Sequence, residues 1–289
     1  MKMQKSSLIR TKSPERMIVM NPKTNNRIAT FFSAGGNVGV TNTVYSVALA
    51  LSKLSDAKIG VLSLNAWDDG SDYLPEAKDF LDSLKPRLAG KQLDNNEEFL
   101  KRFVKVEENN LYILPGNRNG RLVRSFKVEE VSYLIDRSQQ VFDVVLIDAG
   151  GHLDNALSAE AVYEAGHRYA ILTQQPKVLK RFNQLEEDIL TPLSIEKRHI
   201  RFILNKYQEK SYLLDSKKIA KEKDLQDVHT IPYTEDGIIS ELENRFLYTY
   251  PNQKYQASIE QLAKDIGKDM AFPLKEVAPV KKGFFRLNK

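Results

Sequence analysis

Residues 28–41 read Ile-Ala-Thr-Phe-Phe-Ser-Ala-Gly-Gly-Asn-Val-Gly-Val-Thr, and this stretch predicts a strand that runs into a phosphate-binding loop and then into a helix. Its first five residues favour a strand, and Ser33 to Gly39 is rich in glycine and small polar residues. From Thr41 onward, apolar residues recur at helical spacing. The backbone N–H groups of such a turn, at the start of a helix, form a cradle for a phosphate group.

One residue of this loop departs from the usual chemistry. A phosphate-binding loop of this kind places a lysine directly before its threonine or serine, where the ammonium reaches the β- and γ-phosphates. That position is Val40. The loop therefore indicates a nucleotide. The missing charge predicts weak binding and slow or absent hydrolysis, because phosphoryl transfer depends on positioning and on neutralising the phosphate charge.

Length and composition indicate an ordinary globular protein. The chain has 289 residues, of which 42% are hydrophobic and 28% are charged. It has no cysteine, which excludes disulfides, thiolate metal sites and a cysteine nucleophile. No apolar run approaches the roughly 20 residues that span a bilayer, and no secretory leader is evident. The sequence therefore predicts a cytoplasmic protein without a transmembrane segment.

Charge is distributed unevenly along the chain. Residues 1–27 carry a net charge of +6 and residues 275–289 carry +4, which leaves −5 for the residues between them. Basic arms commonly contact nucleic acid or anionic membrane surfaces, although they also serve simply as solubilising tails. We predict a basic flexible tail over 1–27, one domain over 28–270 and a basic tail over 271–289. Contact with an anionic membrane would place the protein at the inner face of that membrane.

Short apolar runs alternate with segments of helical period along the predicted domain. This order predicts an α/β fold, a mostly parallel twisted sheet of about seven or eight strands with helices on both faces. Ligands of such folds bind beyond the carboxyl ends of the strands. The predicted strands cover 28–32, 59–64, 111–114, 143–148, 169–173, 200–204 and 228–231, and the predicted helices cover 41–54, 74–85, 95–104, 127–139, 157–165, 177–189, 215–222, 235–244 and 253–268.

A second chemical element lies at residues 142–151, Phe-Asp-Val-Val-Leu-Ile-Asp-Ala-Gly-Gly. An apolar strand that ends in an aspartate, here Asp148, is how a Walker B segment presents a carboxylate to Mg²⁺. Many strands of α/β folds end in aspartate, so this segment gains its weight from the glycine-rich loop on the first strand. Thr41 is placed to give its hydroxyl to the same ion, and capping the helix is its alternative role. The sequence predicts a magnesium site of Thr41 and Asp148.

The order and spacing of these motifs resemble the ParA/MinD branch of P-loop ATPases, which carries a deviant Walker A loop. The family loop, Lys-Gly-Gly-x-Gly-Lys-Thr, aligns without a gap to residues 35–41. Its two lysines fall on Gly35 and Val40, so this loop is degenerate. Within the branch, the chain is most similar to CpaE/TadZ-like proteins, which position pilus-assembly and secretion machinery and also tend to lose the second lysine.

The resemblance continues at two later strand ends. Residues 203–206, Ile-Leu-Asn-Lys, resemble the strand whose terminal asparagine contacts the adenine base, and residues 231–233, Ile-Pro-Tyr, resemble the strand end whose proline packs near that base. The resemblance implies ATP or ADP with Mg²⁺ as the cofactor, held by Thr41 and Asp148 at the metal. The nucleotide-binding residues that it implies are Gly35, Gly36, Asn37, Val38, Gly39, Val40, Thr41, Asn42, Asn205 and Pro232.

The catalytic residues are less clearly implied. After its second strand the family places two aspartates that position the attacking water, and those places hold Asn65 and Trp67. Asp68, Asp69 and Asp72 lie nearby, and a shift of the loop by one residue would recruit one of them, with Asp68 and Asp69 as the candidates. A solvated acidic loop is the alternative interpretation.

The resemblance implies a homodimeric nucleotide-binding protein with weak or absent ATP hydrolysis. It would act as a positioning or assembly factor for a pilus, secretion or related membrane-associated machine, through protein partners. Two alternatives remain open from the sequence. One is a pseudo-ATPase scaffold that binds no nucleotide, and the other is a DNA-partitioning or DNA-tethering relative that uses its basic tails.

Overall fold

The computed structural model describes residues 25–106, 110–226 and 228–275. Most of the two predicted basic tails, residues 1–24 and 276–289, therefore lies outside the described residues. None of the described helices is long and apolar enough to span a bilayer.

The described residues build one eight-stranded sheet. Its order is β3-β4-β2-β5-β1-β6-β7-β8, and all neighbouring strands are parallel except the β3–β4 pair. The residues of the central strands are buried throughout, as expected for a sheet that is covered on both faces. The strands are β1 Ile28–Phe32, β2 Ile59–Ser63, β3 Val104–Val106, β4 Leu111–Leu114, β5 Val144–Asp148, β6 His167–Leu172, β7 Ile200–Tyr207 and β8 Val228–Pro232.

Helices cover both faces of this sheet. The β1–β2 and β5–β6 crossovers run in opposite directions across the sheet, so right-handed connections place their helices on opposite faces. On one face, Ser46 of the first helix is 2.9 Å from the Tyr255 hydroxyl of the last. On the other face, Thr30 Oγ1 donates to the Ala161 carbonyl at 2.8 Å. The helices are α1 Val40–Leu54, α2 Leu81–Ala89, α3 Asn96–Leu100, α4 Val128–Val141, α5 Ala156–Glu164, α6 Pro176–Leu185, α7 Ser216–Lys223, α8 Asp236–Leu242 and α9 Gln253–Asp269.

The predicted helix over 74–85 is wrong in its first half. Residues 75–80 form a loop, and α2 begins at Leu81, whose N–H donates to the Pro115 and Gly116 carbonyls at 3.1 and 3.0 Å. Pro75 accounts for part of this difference, because the residue before a proline is pushed away from helical backbone angles. Leu74 accordingly has φ −134° and ψ 64°.

The predicted helix over 95–104 is also too long. Asn95 caps α3 by accepting hydrogen bonds from the Glu97 and Glu98 N–H groups at 2.9 and 3.1 Å. The chain leaves the helix after Leu100 and forms β3, which pairs antiparallel with β4 at the edge of the sheet. This strand was not predicted, because three residues are too few to show an alternating pattern.

The described chain begins and ends at the amino edge of the sheet. Asn25 to Arg27 lead directly into β1. At the other end, the Lys275 N–H donates to the Leu54 carbonyl at 2.6 Å, and Lys275 Nζ lies 2.6 Å from Asp56 Oδ1. Leu54 closes α1 and precedes β2, so this contact lies opposite the carboxyl edge, where the glycine-rich loop follows β1.

Candidate functional site

A cavity of about 530 Å³ opens at the carboxyl edge of the sheet. The loops after β1, β2, β5, β7 and β8 meet there, as the rule for parallel sheets requires. Every residue predicted to bind nucleotide lines this cavity, namely Gly35, Gly36, Asn37, Val38, Gly39, Val40, Thr41, Asn42, Asn205 and Pro232. The structure brings the predicted set together, and the role of these residues in binding stays a prediction.

The glycine-rich loop is open to a ligand along its backbone. Directly after β1, the Ser33 N–H donates a hydrogen bond to the Gly150 carbonyl at 2.8 Å. It then turns through left-handed angles at Asn37 (φ 61°) and Gly39 (φ 87°) before α1 begins. Within the part of the chain that the structure describes, no backbone N–H from 34 to 42 makes a hydrogen bond of normal geometry to a protein acceptor. These nine donors, next to a helix N-terminus, suit a phosphate group.

Three side chains place oxygen atoms close together behind the loop. Thr41 Oγ1 lies 2.6 Å from Asp148 Oδ2 and 3.1 Å from Asp68 Oδ2. Asp148 comes from the end of β5 and is fully buried, while Asp68 comes from the loop after β2. Hydroxyl and carboxylate oxygens are the ligands that Mg²⁺ prefers. The donor set therefore fits a magnesium ion shared with a bound nucleotide.

The buried carboxyl of Asp148 is electrostatically costly in the absence of a cation. Burial is the main cause that raises the pKa of Asp148 to about 7, and the neighbouring Asp68 carboxylate contributes to this rise. Hydrogen bonds from Thr41 and from the Gly150 N–H oppose this rise in the pKa. Loss of hydration favours the neutral form of a buried carboxyl, and here it outweighs the two hydrogen bonds that favour the ionised form. A divalent cation at this point would supply the charge that the ionised form lacks.

The structure places the two catalytic candidates, Asp68 and Asp69, in different positions relative to the cavity. Asn65 Oδ1 accepts a hydrogen bond from the Trp67 N–H at 3.1 Å, and the following turn carries Asp68 to the cavity. Asp68 Oδ1 also accepts from the Gly70 N–H at 2.9 Å. The carboxylate of Asp69 instead accepts from the Ser71 N–H at 2.9 Å, and Asp69 does not line the cavity. Of these two candidates, Asp68 is therefore the one that lies near Thr41.

Asn205 ties β7 to the loop. Its Nδ2 donates to the Val38 carbonyl at 2.8 Å, and its Oδ1 accepts from the Lys206 N–H at 2.8 Å. One amide hydrogen of Asn205 is then left for the base of a nucleotide, while the other holds the loop.

Other residues that line the cavity after β8 were not predicted from the sequence, including Ile238 and Glu241. They carry no motif, and only their position after a strand end could have indicated them.

Two glycines after Asp148 let the loop pack closely against the end of β5. Gly150 has a left-handed φ of 67°. A Cβ atom on Gly151 would overlap the Gly35 carbonyl group of the loop. These positions explain why small residues follow the buried aspartate, since the two loops meet backbone to backbone.

No family model matches the sequence, and no curated protein matches it. Among solved structures, the chain is similar to the ParA family ATPase from Chlorobium tepidum TLS, with a TM-score of 0.71 and 20% identity over 83% of this chain and 99% of that chain. It is similar to the MinC:MinD cell division protein complex of Aquifex aeolicus, with a TM-score of 0.66 and 16% identity over 89% of this chain and 99% of that chain.

It is also similar to the septum site-determining protein MinD complexed with Mg-ADP from Pyrococcus horikoshii OT3, with a TM-score of 0.65 and 21% identity over 84% of this chain and 96% of that chain. These likenesses show that the chain has the α/β fold of the MinD/ParA P-loop NTPases. The fold class predicted from the sequence is confirmed.

Proposed function

We propose that this protein binds ATP or ADP with Mg²⁺ in the cavity at the carboxyl edge, hydrolyses ATP slowly or not at all, and uses the bound state to position a partner protein. The observation that carries this proposal is the run of free backbone N–H groups from 34 to 42. Backbone amides and a helix N-terminus bind phosphate without any side-chain charge. The cavity volume of about 530 Å³ lies within the range of small-molecule sites.

Thr41 and Asp148 would hold the magnesium ion, with the Asp68 carboxylate beside them. Bound there, Mg²⁺ supplies positive charge against the phosphates of the nucleotide. The 2.6 Å contact between Thr41 Oγ1 and Asp148 Oδ2 supports this assignment, because it places both oxygens on one side of the loop. The fold supports it as well, since the similar MinD structure from Pyrococcus horikoshii was solved with Mg-ADP.

Slow or absent hydrolysis follows from the groups that are missing. The loop carries Gly35 and Val40 where charged side chains would face the phosphates, and Asn65 and Trp67 stand where aspartates would orient the attacking water. Removing a single well-placed charge-stabilising donor costs about 10²–10³ in rate. The carboxylate of Asp68 is already engaged by the Gly70 N–H. The site is therefore better suited to binding than to turnover.

Apolar side chains at the mouth of the cavity favour a protein partner. Trp67, Ile238 and Tyr233 line the cavity and are 71%, 65% and 45% exposed. Exposed apolar groups next to a binding site mark protein contact surfaces. We propose that a second copy of the chain covers this mouth when nucleotide is bound. The resemblance at Val40 to CpaE/TadZ-like proteins supports a pilus or secretion machine as the cargo, at the cytoplasmic face of the membrane.

Thermal unfolding with added nucleotide tests the binding proposal. We expect 10 mM Mg-ATP to raise the Tm by roughly 5 °C, because a ligand at about 100 times its Kd stabilises a protein by about 2.7 kcal/mol. Thr41→Val should lose most of this shift when Mg²⁺ is present. Thr249→Ala, which changes an exposed threonine outside the cavity lining, should keep it. A wild-type Tm that does not move with Mg-ATP would instead support the scaffold that binds no nucleotide.

Size-exclusion chromatography with light scattering tests the dimer. We expect a mass near twice 33.0 kDa with Mg-ATP and a monomer without it. Ile238→Glu should remain a monomer with Mg-ATP yet keep the nucleotide-dependent Tm shift, because a buried charge opposes association. Val128→Glu, at a residue 50% exposed and outside the cavity lining, is the matched control and should dimerise normally. A dimer that survives Ile238→Glu contradicts this interface.

A further inference from the structure

A lysine from outside the glycine-rich loop reaches into it. Lys206 lies near the end of β7, and its Nζ donates a hydrogen bond to the Asn37 carbonyl at 2.9 Å. Both residues line the cavity. An ammonium group therefore lies next to the glycine-rich loop, in which Val40 occupies the position where a lysine is usual. The sequence analysis did not assign this lysine a role, because it follows the loop by 165 or more residues.

The backbone of Lys206 is held in an unusual conformation. Its φ is 54°, in the left-handed region that residues other than glycine rarely adopt. Asn205 supports it, since Asn205 Oδ1 accepts the Lys206 N–H at 2.8 Å, and the pairing of β7 with β8 is irregular between Leu204 and Tyr207. A left-handed conformation costs a residue other than glycine about 1–3 kcal/mol. Here it accompanies a side chain that contacts the loop.

The charge of Lys206 is available to a ligand. Within the described residues, the Asn37 carbonyl is its one hydrogen-bond or ion-pair partner, and the side chain is exposed. An ammonium group has three N–H donors, so two remain for an anion. A lysine can bind phosphate as a point charge wherever its nitrogen comes within reach.

A second cation lies near the other end of the loop. A Cβ atom on Gly35 would be 3.4 Å from Arg181 Nη1, which comes from α6. Arg181 does not line the cavity, whereas Lys206 does. The position of Lys206 therefore makes it the better candidate to meet a phosphate bound by the loop.

We propose that Lys206 is the phosphate-binding cation of this site. It supplies from β7 the charge that Val40 does not supply from α1. The ligand class is a nucleoside di- or triphosphate whose phosphates lie along the loop. This inference rests on the proposed nucleotide-binding function. It assigns to Lys206 the positive charge that a loop without lysine does not supply.

Isothermal titration of the full chain with Mg-ADP tests the proposal. A hydrogen bond to a charged group contributes about 1.5–3 kcal/mol, so Lys206→Gln should weaken binding about 10- to 100-fold. Lys206→Arg, which keeps the charge, should stay within about threefold of wild type. Lys210→Gln, a neighbouring exposed lysine outside the cavity lining, and Arg181→Gln should both change the Kd less than about twofold.

The melting temperature without ligand separates a binding role from a structural one. Lys206→Asn is included because asparagine tolerates left-handed backbone angles, and it should melt like wild type yet bind Mg-ADP as weakly as Lys206→Gln. Equal affinity of wild type and both neutral variants would overturn the proposal, as would a loss in Lys206→Arg or Arg181→Gln as large as in Lys206→Gln. Absence of Mg-ADP binding by the wild type would instead overturn the proposed function itself.

Discussion

Replacing Asp148 with asparagine is expected to raise the Tm of the magnesium-free protein by roughly 5–10 °C at pH 8. Asp148 is fully buried, and burial is the main cause that raises its pKa to about 7. Ionised at pH 8, it costs folding free energy. The asparagine keeps an oxygen for the Gly150 N–H and gains a donor that faces Thr41 and Asp68.

The pH dependence follows from the direction of this shift. In the unfolded chain the carboxyl of Asp148 loses its proton near pH 4, whereas in the folded protein it keeps the proton to about pH 7. The folded state therefore binds more protons within this window, and this group makes the wild type less stable as the pH rises through it. The difference between Asp148→Asn and wild type should be small at pH 4 and largest, roughly 2–4 kcal/mol, above pH 7.

Chemical denaturation in EDTA at several pH values measures this difference. Asp143→Asn is the control, because Asp143 lies just before the same strand and is exposed. The Asp143→Asn variant should show no comparable increase in the free energy of unfolding above pH 7. An Asp148→Asn protein that is less stable than wild type at pH 8 would contradict this expectation.

We also expect the Asp148→Asn variant to lose the magnesium dependence of nucleotide binding, since stability gained at a functional site commonly costs function.

Gly151→Ala is expected to weaken Mg-nucleotide binding at least about tenfold and to lower the free energy of unfolding by about 1–3 kcal/mol. A Cβ atom on Gly151 would overlap the Gly35 carbonyl, and it would also lie 3.0 Å from the Gly36 nitrogen. Both contacts are with backbone, which cannot rotate away as a side chain does. The loop must therefore move, and its N–H groups with it.

Gly120→Ala is the matched control, because a Cβ atom there has nothing within 4 Å. It should leave both stability and Mg-ATP affinity near the wild-type values. Titration calorimetry and urea denaturation of the two variants side by side measure the effect. A Gly151→Ala protein that binds nucleotide as tightly as wild type would show that the close approach of the two loops is not needed for binding.

The sequence predicts the centre of this site well, because its signals are local. The strand, glycine-rich loop and helix from Ile28 onward form one continuous segment, and the apolar strand ending in Asp148 carries its own pattern. Asn205 and Pro232 were predicted through the resemblance of their segments to two strand ends of the ParA/MinD family. All of these residues fall at one edge of a parallel sheet, where topology alone brings them together.

The remaining features depend on contacts between distant segments, which a local pattern does not show. Asp68 reaches Thr41 only because the turn after Asn65 carries it inward. Lys206 contacts Asn37 from the end of β7, where the pairing of that strand with β8 is irregular. The edge strand β3 is specified by its partner β4 more than by its own three residues. Side chains on loops are placed by tertiary structure, so a local sequence pattern does not indicate their positions.

The described chain begins at Asn25 and ends at Lys275, both at the amino edge of the sheet, while the cavity opens at the carboxyl edge. A strand of five residues separates the two edges by about 17 Å. Segments joined at Asn25 and Lys275 therefore leave the sheet about one strand length away from the cavity, so neither described end blocks access to it.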